Sequence, residues 1–271
     1  MNRGLLLKTV YEAWPITMVF AAALAIVVGL LSYAIPTLFS QYSEQLLQLE
    51  FVQRIVSGLV GAELGERLSP AMLHSFVWVH PIVLSIIWAQ EIAFCTRVPA
   101  GEIDRGTADF LFGLPVSRVR IYVSETVVWL GTGVVLLAAG AVGNQIGGVF
   151  LPSGFRGGSV WTAAILANVF SMYLAIGGMT LLVSAVSDRR GVAVGVAFGV
   201  VLASFLVNLL AQFWPAAERL AFLSVLNYVR PFQIVRDHAV PWGDMLLLAV
   251  VALVFWTMGA VLFTRRDIRT L

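Results

Sequence analysis

The sequence predicts an all-α integral membrane protein with six transmembrane helices and both termini cytoplasmic. Three observations carry that prediction. Hydrophobic residues make up 59% of the 271-residue chain and charged residues only 12%, whereas a soluble domain has about a quarter charged. Charge is absent from six stretches of 18 to 27 residues: 16–35, 71–90, 126–143, 160–186, 191–214 and 245–264. Each is long enough to span, because roughly 20 apolar residues in a helix cross a hydrocarbon layer about 30 Å thick. The third observation sets the orientation. Segments 1–15, 91–125, 187–190 and 265–271 hold 11 of the 17 basic residues in 61 positions, and the alternate segments hold 6 in 81. The denser set is expected inside. The apolar runs are continuous rather than alternating, which excludes an outer-membrane barrel.

The elements follow in chain order. Residues 3–14 are amphipathic and stop at Pro15, which predicts a short interfacial helix ahead of the first span. The first span is longer than the apolar part of a signal peptide, and Tyr33-Ala34-Ile35-Pro36 at its end offers no cleavage pattern. Residues 41–67 place Tyr42, Leu46, Leu49, Val52, Ile55 and Val56 at helical spacing among Gln, Glu and Arg, an outer amphipathic helix too polar to span. The third span, 126–143, is expected to be the shortest. Segment 144–159 is rich in Gly and Ser and reads as irregular. Segment 215–244 is long for a connector, and a helix dipping into the outer leaflet around 222–229 is one possible form. Trp14, Trp161, Trp214 and Trp242 sit at span edges, where aromatic belts form. No connecting segment is long enough for a soluble domain, so the chain reads as a single transmembrane domain over 1–271.

Composition narrows the function. A net charge of +2 is too balanced for nucleic-acid binding, and the single cysteine, Cys95, cannot form an intrachain disulfide. One lysine against 16 arginines points to a GC-rich, prokaryotic coding sequence, and six spans in such a cell imply the inner (cytoplasmic) membrane. No phosphate-binding G-x-x-x-x-G-K-[ST], zinc-binding H-E-x-x-H or nucleophilic G-x-S-x-G is present. The chain therefore reads as non-catalytic and without a bound metal or cofactor.

Histidines and asparagines inside the spans are few: His74, His80, Asn168 and Asn208, with Glu91 and Glu125 at the edges. On one continuous helix His74 and His80 fall on roughly opposite faces and cannot readily share a metal. Each is either a locally partnered histidine or a proton or substrate contact. Asn168 and Asn208 are either interhelical hydrogen-bonding glue or pathway residues. Gly191, Gly195 and Gly199 lie on one helix face, where close packing within the chain or across a dimer would use them. So little ionisable chemistry at depth disfavours an ion-driven carrier, and energy would have to come from outside the chain.

The most specific segment is 91–125. Gly106-Thr107 reads as a helix start, with Thr107 as N-cap and Asp109 near the positive helix end. Leu114-Pro115 ends a helix of about two turns, expected to expose Phe110, Leu111 and Leu114 beside Asp104, Arg105 and Arg118. So short a helix is marginal in water and needs a surface to rest on.

Glu102-x-Asp104-Arg105-Gly106-Thr107-Ala108-Asp109-Phe110-Leu111-x-x-Leu114-Pro115-Val116-Ser117-Arg118 resembles the E-x-x-x-G-T-x-x-x-L-x-x-x-P-V-S-R signature of ABC-2 type permeases, the membrane subunits of ATP-binding-cassette exporters. Asn227-Tyr-Val-Arg-Pro231-Phe232 is similar to the segment before that family's last helix, with Arg where Ser is common. Phe263-Thr-Arg-Arg266-Asp267-Ile268 is similar to its F-x-R-R-D ending. The resemblance implies an ABC-2, type V exporter-like membrane domain that pairs with a second copy or paralogue. Two separate ATPase subunits would hold ATP and magnesium. Residues 107–114 would form the coupling helix docked in the ATPase, with Glu102, Asp104, Arg105, Gly106, Pro115 and Arg118 around it. The cargo would be an extruded amphiphile: a drug, lipid or peptide. On this reading, charging Leu111 should uncouple the complex without unfolding it. The competing readings are a secondary carrier or channel that needs no ATPase, and a non-transporting scaffold or sensor.

Overall fold

The computed structural model describes residues 3–46, 70–113, 115–151 and 159–266, and every regular element among them is helical. The labelled helices are α1 (Arg3–Leu46), α2 (Pro70–Ser75), α3 (Pro81–Cys95), α4 (Ala108–Phe112), α5 (Arg118–Val149), α6 (Ser159–Val186), α7 (Arg190–Ala211), α8 (Pro231–Asp237) and α9 (Trp242–Arg265). Among the described residues, six helical segments are long and apolar enough to cross a membrane: α1, the α2–α3 segment, α5, α6, α7 and α9. One face gathers the start of α1, the end of α3, both ends of the α6–α7 link and the end of α9. Lys8 reaches Glu102 there, Arg190 reaches Ala93 and Arg266 reaches Ala185. It is called the terminal face below, and its opposite the far face.

Helix α1 departs from expectation at Pro15. The predicted interfacial helix and first span are one unbroken helix of 44 residues, about 66 Å long. The reason lies in its buried stripe: Leu5, Thr9, Ala13, Thr17, Ala21, Leu24, Val28 and Ser32 recur every three or four residues straight through the proline. Packing along that stripe outweighs the lost N–H, as spanning helices allow. Hydroxyls just beyond each internal proline bond back along the helix, Thr17 to the Ala13 carbonyl at 2.8 Å and Thr37 to that of Tyr33 at 2.7 Å.

Helix α5 is also longer than the stretch 126–143. It takes in Asn144–Val149, whose glycine content reads as irregular in the sequence. Those glycines serve packing: a Cβ on Gly143 would fall 2.0 Å from the Ala25 carbonyl oxygen, and one on Gly147 would fall 2.2 Å from that of Gly29. The backbones of α1 and α5 touch there, and Asn144 donates to Ser32 across the seam at 2.9 Å. Helix α6 runs through the centre, with Val169, Met172, Tyr173 and Ala185 fully enclosed. It packs closely on α9, where Gly178 abuts the Ala252 carbonyl and Gly259 lies against Leu182.

The second span is broken. Residues Phe76–Val79 form a 3₁₀ turn, and His80 then caps α3, its Nδ1 accepting from the Ile82 N–H at 3.3 Å. The single helix assumed for His74 and His80 therefore does not exist. Between Trp214 and α9 the chain makes short helical pieces, α8 among them, rather than one dipping helix. Residues 222–229 contribute to two 3₁₀ turns, Ala221–Leu223 and Val225–Tyr228. The amphipathic helix expected over 41–67 begins as the end of α1, and its remainder, 47–67, lies outside the described residues.

Candidate functional site

The loop from α3 to α5 is built by local rules. Pro99 forces Val98 into extended backbone, which turns the chain at the end of α3. One helical turn, Glu102–Asp104, is then closed by Gly106 at φ +69°. The Thr107 N–H bonds the Glu102 carbonyl at 3.0 Å, and the Gly106 N–H bonds that of Ile103 at 3.0 Å. This is a Schellman closure, whose left-handed residue is normally glycine. Thr107 precedes α4 but does not cap it: its hydroxyl turns back to the Glu102 carboxylate. Arg105 holds the same carboxylate at 2.9 Å. The E-x-x-x-G-T spacing is thus one folding unit.

Helix α4 spans five residues and presents two opposite sides. Phe110 stands 82% exposed, whereas Leu111 is 6% exposed and packs with Leu5, Val98 and Ile121, with Val116 alongside. This corrects the expectation that Leu111 faces outward, because a turn this short is held to the body by that side chain. Leu114 lies outside the described residues, and Pro115 is exposed. Ser117 caps α5 by accepting from the Arg120 N–H at 3.4 Å. Arg118 donates to the Phe263 and Arg266 carbonyls at the end of α9. Arg266 in turn bonds the Ala185 carbonyl at 2.9 Å and that of Ser187 at 3.1 Å, closing the end of α6.

A charged brace ties this loop to the spans. Arg97 is 9% exposed and divides its two amino groups between Glu12 on α1 and Glu125 on α5. Thr9 donates to Glu125 at 2.7 Å, and Lys8 pairs with Glu12 at 3.2 Å and reaches Glu102 at 3.8 Å. Breaking so buried an ion pair from one side costs about 3–5 kcal/mol, because it leaves a charge unpaired. The sequence marks Glu125 only as a membrane-edge residue and assigns nothing to Thr9, Glu12 or Arg97, nor a partner to Lys8. Their one signal is polar residues at positions 8, 9 and 12, on the terminal-face end of an otherwise apolar helix. Lys8, Glu12, Arg97 and Glu102, with Arg105, Phe110 and Arg190, surround an open cavity of about 740 Å³.

The other candidates scatter. His74 is buried against Gly148, beside the Asn144 backbone, with its Nε2 unpaired among the described residues. Asn168 grips the 224–231 segment from α6, donating to the Tyr228 carbonyl at 3.0 Å and accepting from the Arg230 N–H at 2.9 Å. Arg230 also pairs with Asp244 at 2.7 Å. Asn208 lines a far-face cavity of about 470 Å³, whose wall mixes Phe76, Phe205 and Phe232 with Gln212, Asn227 and Gln233. Gly191, Gly195 and Gly199 face open space, and a Cβ on any of them would meet nothing within 4 Å. Packing inside the chain, one of the two uses expected for them, is therefore excluded among the described residues.

A family model described as ABC-2 family transporter protein matches residues 82–268, from the start of α3 to just past α9. Comparison with curated proteins and with solved structures returned no match. The matched region is well over half of the chain and includes the whole braced loop. The chain belongs to the ABC-2 transporter family.

Proposed function

We propose, from membership of that family, that the chain is the permease subunit of an ABC exporter. It would form the membrane pathway for ATP-driven extrusion of an amphiphilic drug, lipid or peptide by alternating access. It would act with a second permease copy or paralogue, joined through the outward glycine face of α7. Two separate ATPase subunits would bind ATP and magnesium, and this chain would supply no catalytic group. The observation that carries the reading is the exposure of Phe110 on a ledge that is otherwise anchored. An aromatic side chain 82% exposed beside a basic cavity is the kind of anchor a partner protein buries.

The ledge has a mechanical route into the spans. A push on α4 acts through Leu111 on Leu5 of α1 and Ile121 of α5. It acts also through Glu102 on Lys8, while Arg97 locks α1 and α5 to the end of α3. Closure of the ATPases against α4 would thus move three spans together.

Two substitutions side by side test this. Phe110→Asp should leave the thermal stability of the permease unchanged and weaken its association with the co-expressed ATPase by about tenfold or more, as loss of an interface anchor does. Leu111→Asp should instead cost about 3 kcal/mol of stability by placing a carboxylate in an apolar cluster. ATPase association and export unchanged in Phe110→Asp would remove α4 from the docking surface. A chain that transports or conducts when purified alone, with no ATPase, would replace the exporter reading with a carrier.

A further inference from the structure

The cavity at the terminal face opens between α1, the end of α3, the 97–111 loop and the start of α7. Its wall divides in two. Ala13, Ile16, Ala93 and Phe94 form an apolar side that belongs to the spans, and Lys8, Arg97, Arg105 and Arg190 supply positive charge. Glu12 and Glu102 also line it, but each is already paired. Glu12 holds Lys8 and Arg97, and Glu102 holds Arg105 and the Thr107 hydroxyl.

Arg190 differs from the other three cations. It meets no carboxylate among the described residues; one amino group donates to the Ala93 carbonyl at 2.9 Å. Its side chain crosses the face of Gly101, where a Cβ would lie 3.2 Å from its Cδ. The fields of Arg105 and Arg97 both act on it, offset in part by Asp104. Helix α7 starts at this residue with no side-chain cap, so its free N–H groups and positive dipole end add to the same charge. Half-buried like charges gathered in one place are unfavourable, and an anion placed among them relieves the repulsion.

The apolar side of the wall decides the source of that anion. A small ion would leave the surface of Ala13, Ile16, Ala93 and Phe94 unfilled, whereas an amphiphile satisfies both sides. Ile16 lines the opening and is exposed, as is Val19 about one turn further along α1, where an acyl chain in the bilayer would lie against them. The volume, about 740 Å³, falls in the range of ligand pockets. We propose that this cavity binds the phosphate headgroup of an anionic lipid, with Arg190 as its principal contact and an acyl chain along α1. The inference rests on the placement of α1, α3 and α7 in the bilayer and not on the exporter reading.

The test mixes the purified full chain in detergent with equal amounts of dioleoyl phosphatidic acid and dioleoyl phosphatidylcholine. Bound lipid is counted by native mass spectrometry. Phosphatidic acid should be retained in preference, and Arg190→Gln should lower that preference about fivefold, the size expected of one basic side chain at an anionic headgroup. Arg190→Lys should restore part of it. Arg105→Gln should lower it in the same direction and decides the matter if Arg190→Gln does not fold. Equal retention of the two lipids, or a preference unchanged in both glutamine variants, overturns the proposal. Binding of inorganic phosphate as tightly as the lipid would overturn the lipid assignment and leave a small-anion site.

Discussion

Helices α5 and α7 both carry glycines four residues apart, Gly143 and Gly147 on the first and Gly191, Gly195 and Gly199 on the second. On α5 the pattern is filled: backbone atoms of Ala25 and Gly29 occupy the space where side chains would start. On α7 nothing lies within 4 Å of the corresponding positions, and Val192, Val196 and Phe198 on the same helix are exposed. The local sequence signal is the same, and the two helices differ in whether another backbone of this chain meets it among the described residues. Glycine spacing therefore reports that a helix can be approached closely, and not by what.

The strongest way to break the contrast is to fill both patterns with the same side chain. Gly143→Leu should prise α1 from α5, since even its Cβ would sit 2.0 Å from the Ala25 carbonyl oxygen. The expected loss is about 3 kcal/mol or more, read as a lower melting temperature in detergent and poor recovery of folded protein. A wild-type melting temperature in that variant would mean that the α1–α5 contact does not hold the fold together.

The same contrast explains what can be read from the sequence. Six apolar stretches mark the spans, because length and the absence of charge are local properties. Signals that depend on a neighbour mislead. Asn144–Val149 looks like a loop by composition, yet it is helical because Gly147 needs to lie against Gly29. Pro15 looks like a stop, yet the buried stripe of α1 runs through it. In the α3–α5 loop the turn chemistry of Gly106 is partly legible, whereas the side of α4 that faces inward is not. A five-residue helix has no periodicity from which to choose between Phe110 and Leu111. The Arg97 brace joins residues 85 and 28 positions apart, and no spacing rule reaches that far.

Gly106 sharpens the comparison, because here glycine is needed for its backbone and not for room. A Cβ at this position would meet nothing within 4 Å, but φ is +69°. Gly106→Ala should therefore cost about 1 kcal/mol through the left-handed backbone alone. Hydrogen exchange should show faster opening of the Glu102–Thr107 turn, with the spans unaffected. Opening rates equal to wild type would mean that the turn relaxes to another conformation without loss.

The smallest effect on folding belongs to α7. Gly195→Leu meets open space, so the stability of the isolated chain, read from its melting temperature, should change by no more than the roughly 0.5 kcal/mol usual for exposed sites. Self-association is where it should register. If the face that α7 presents is closed by the α7 of a second copy, four extra carbons on each chain hold the two backbones apart. The dimer fraction, measured by light scattering in detergent or by cross-linking through a cysteine placed at Val196, should then fall. An unchanged dimer fraction would assign the face to lipid, and the open glycines of α7 would lose their claim to a partner. The pair Gly143→Leu and Gly195→Leu thus separates glycines that hold one chain together from those that join two, because Gly143→Leu should lower the melting temperature and Gly195→Leu should lower the dimer fraction at an unchanged melting temperature.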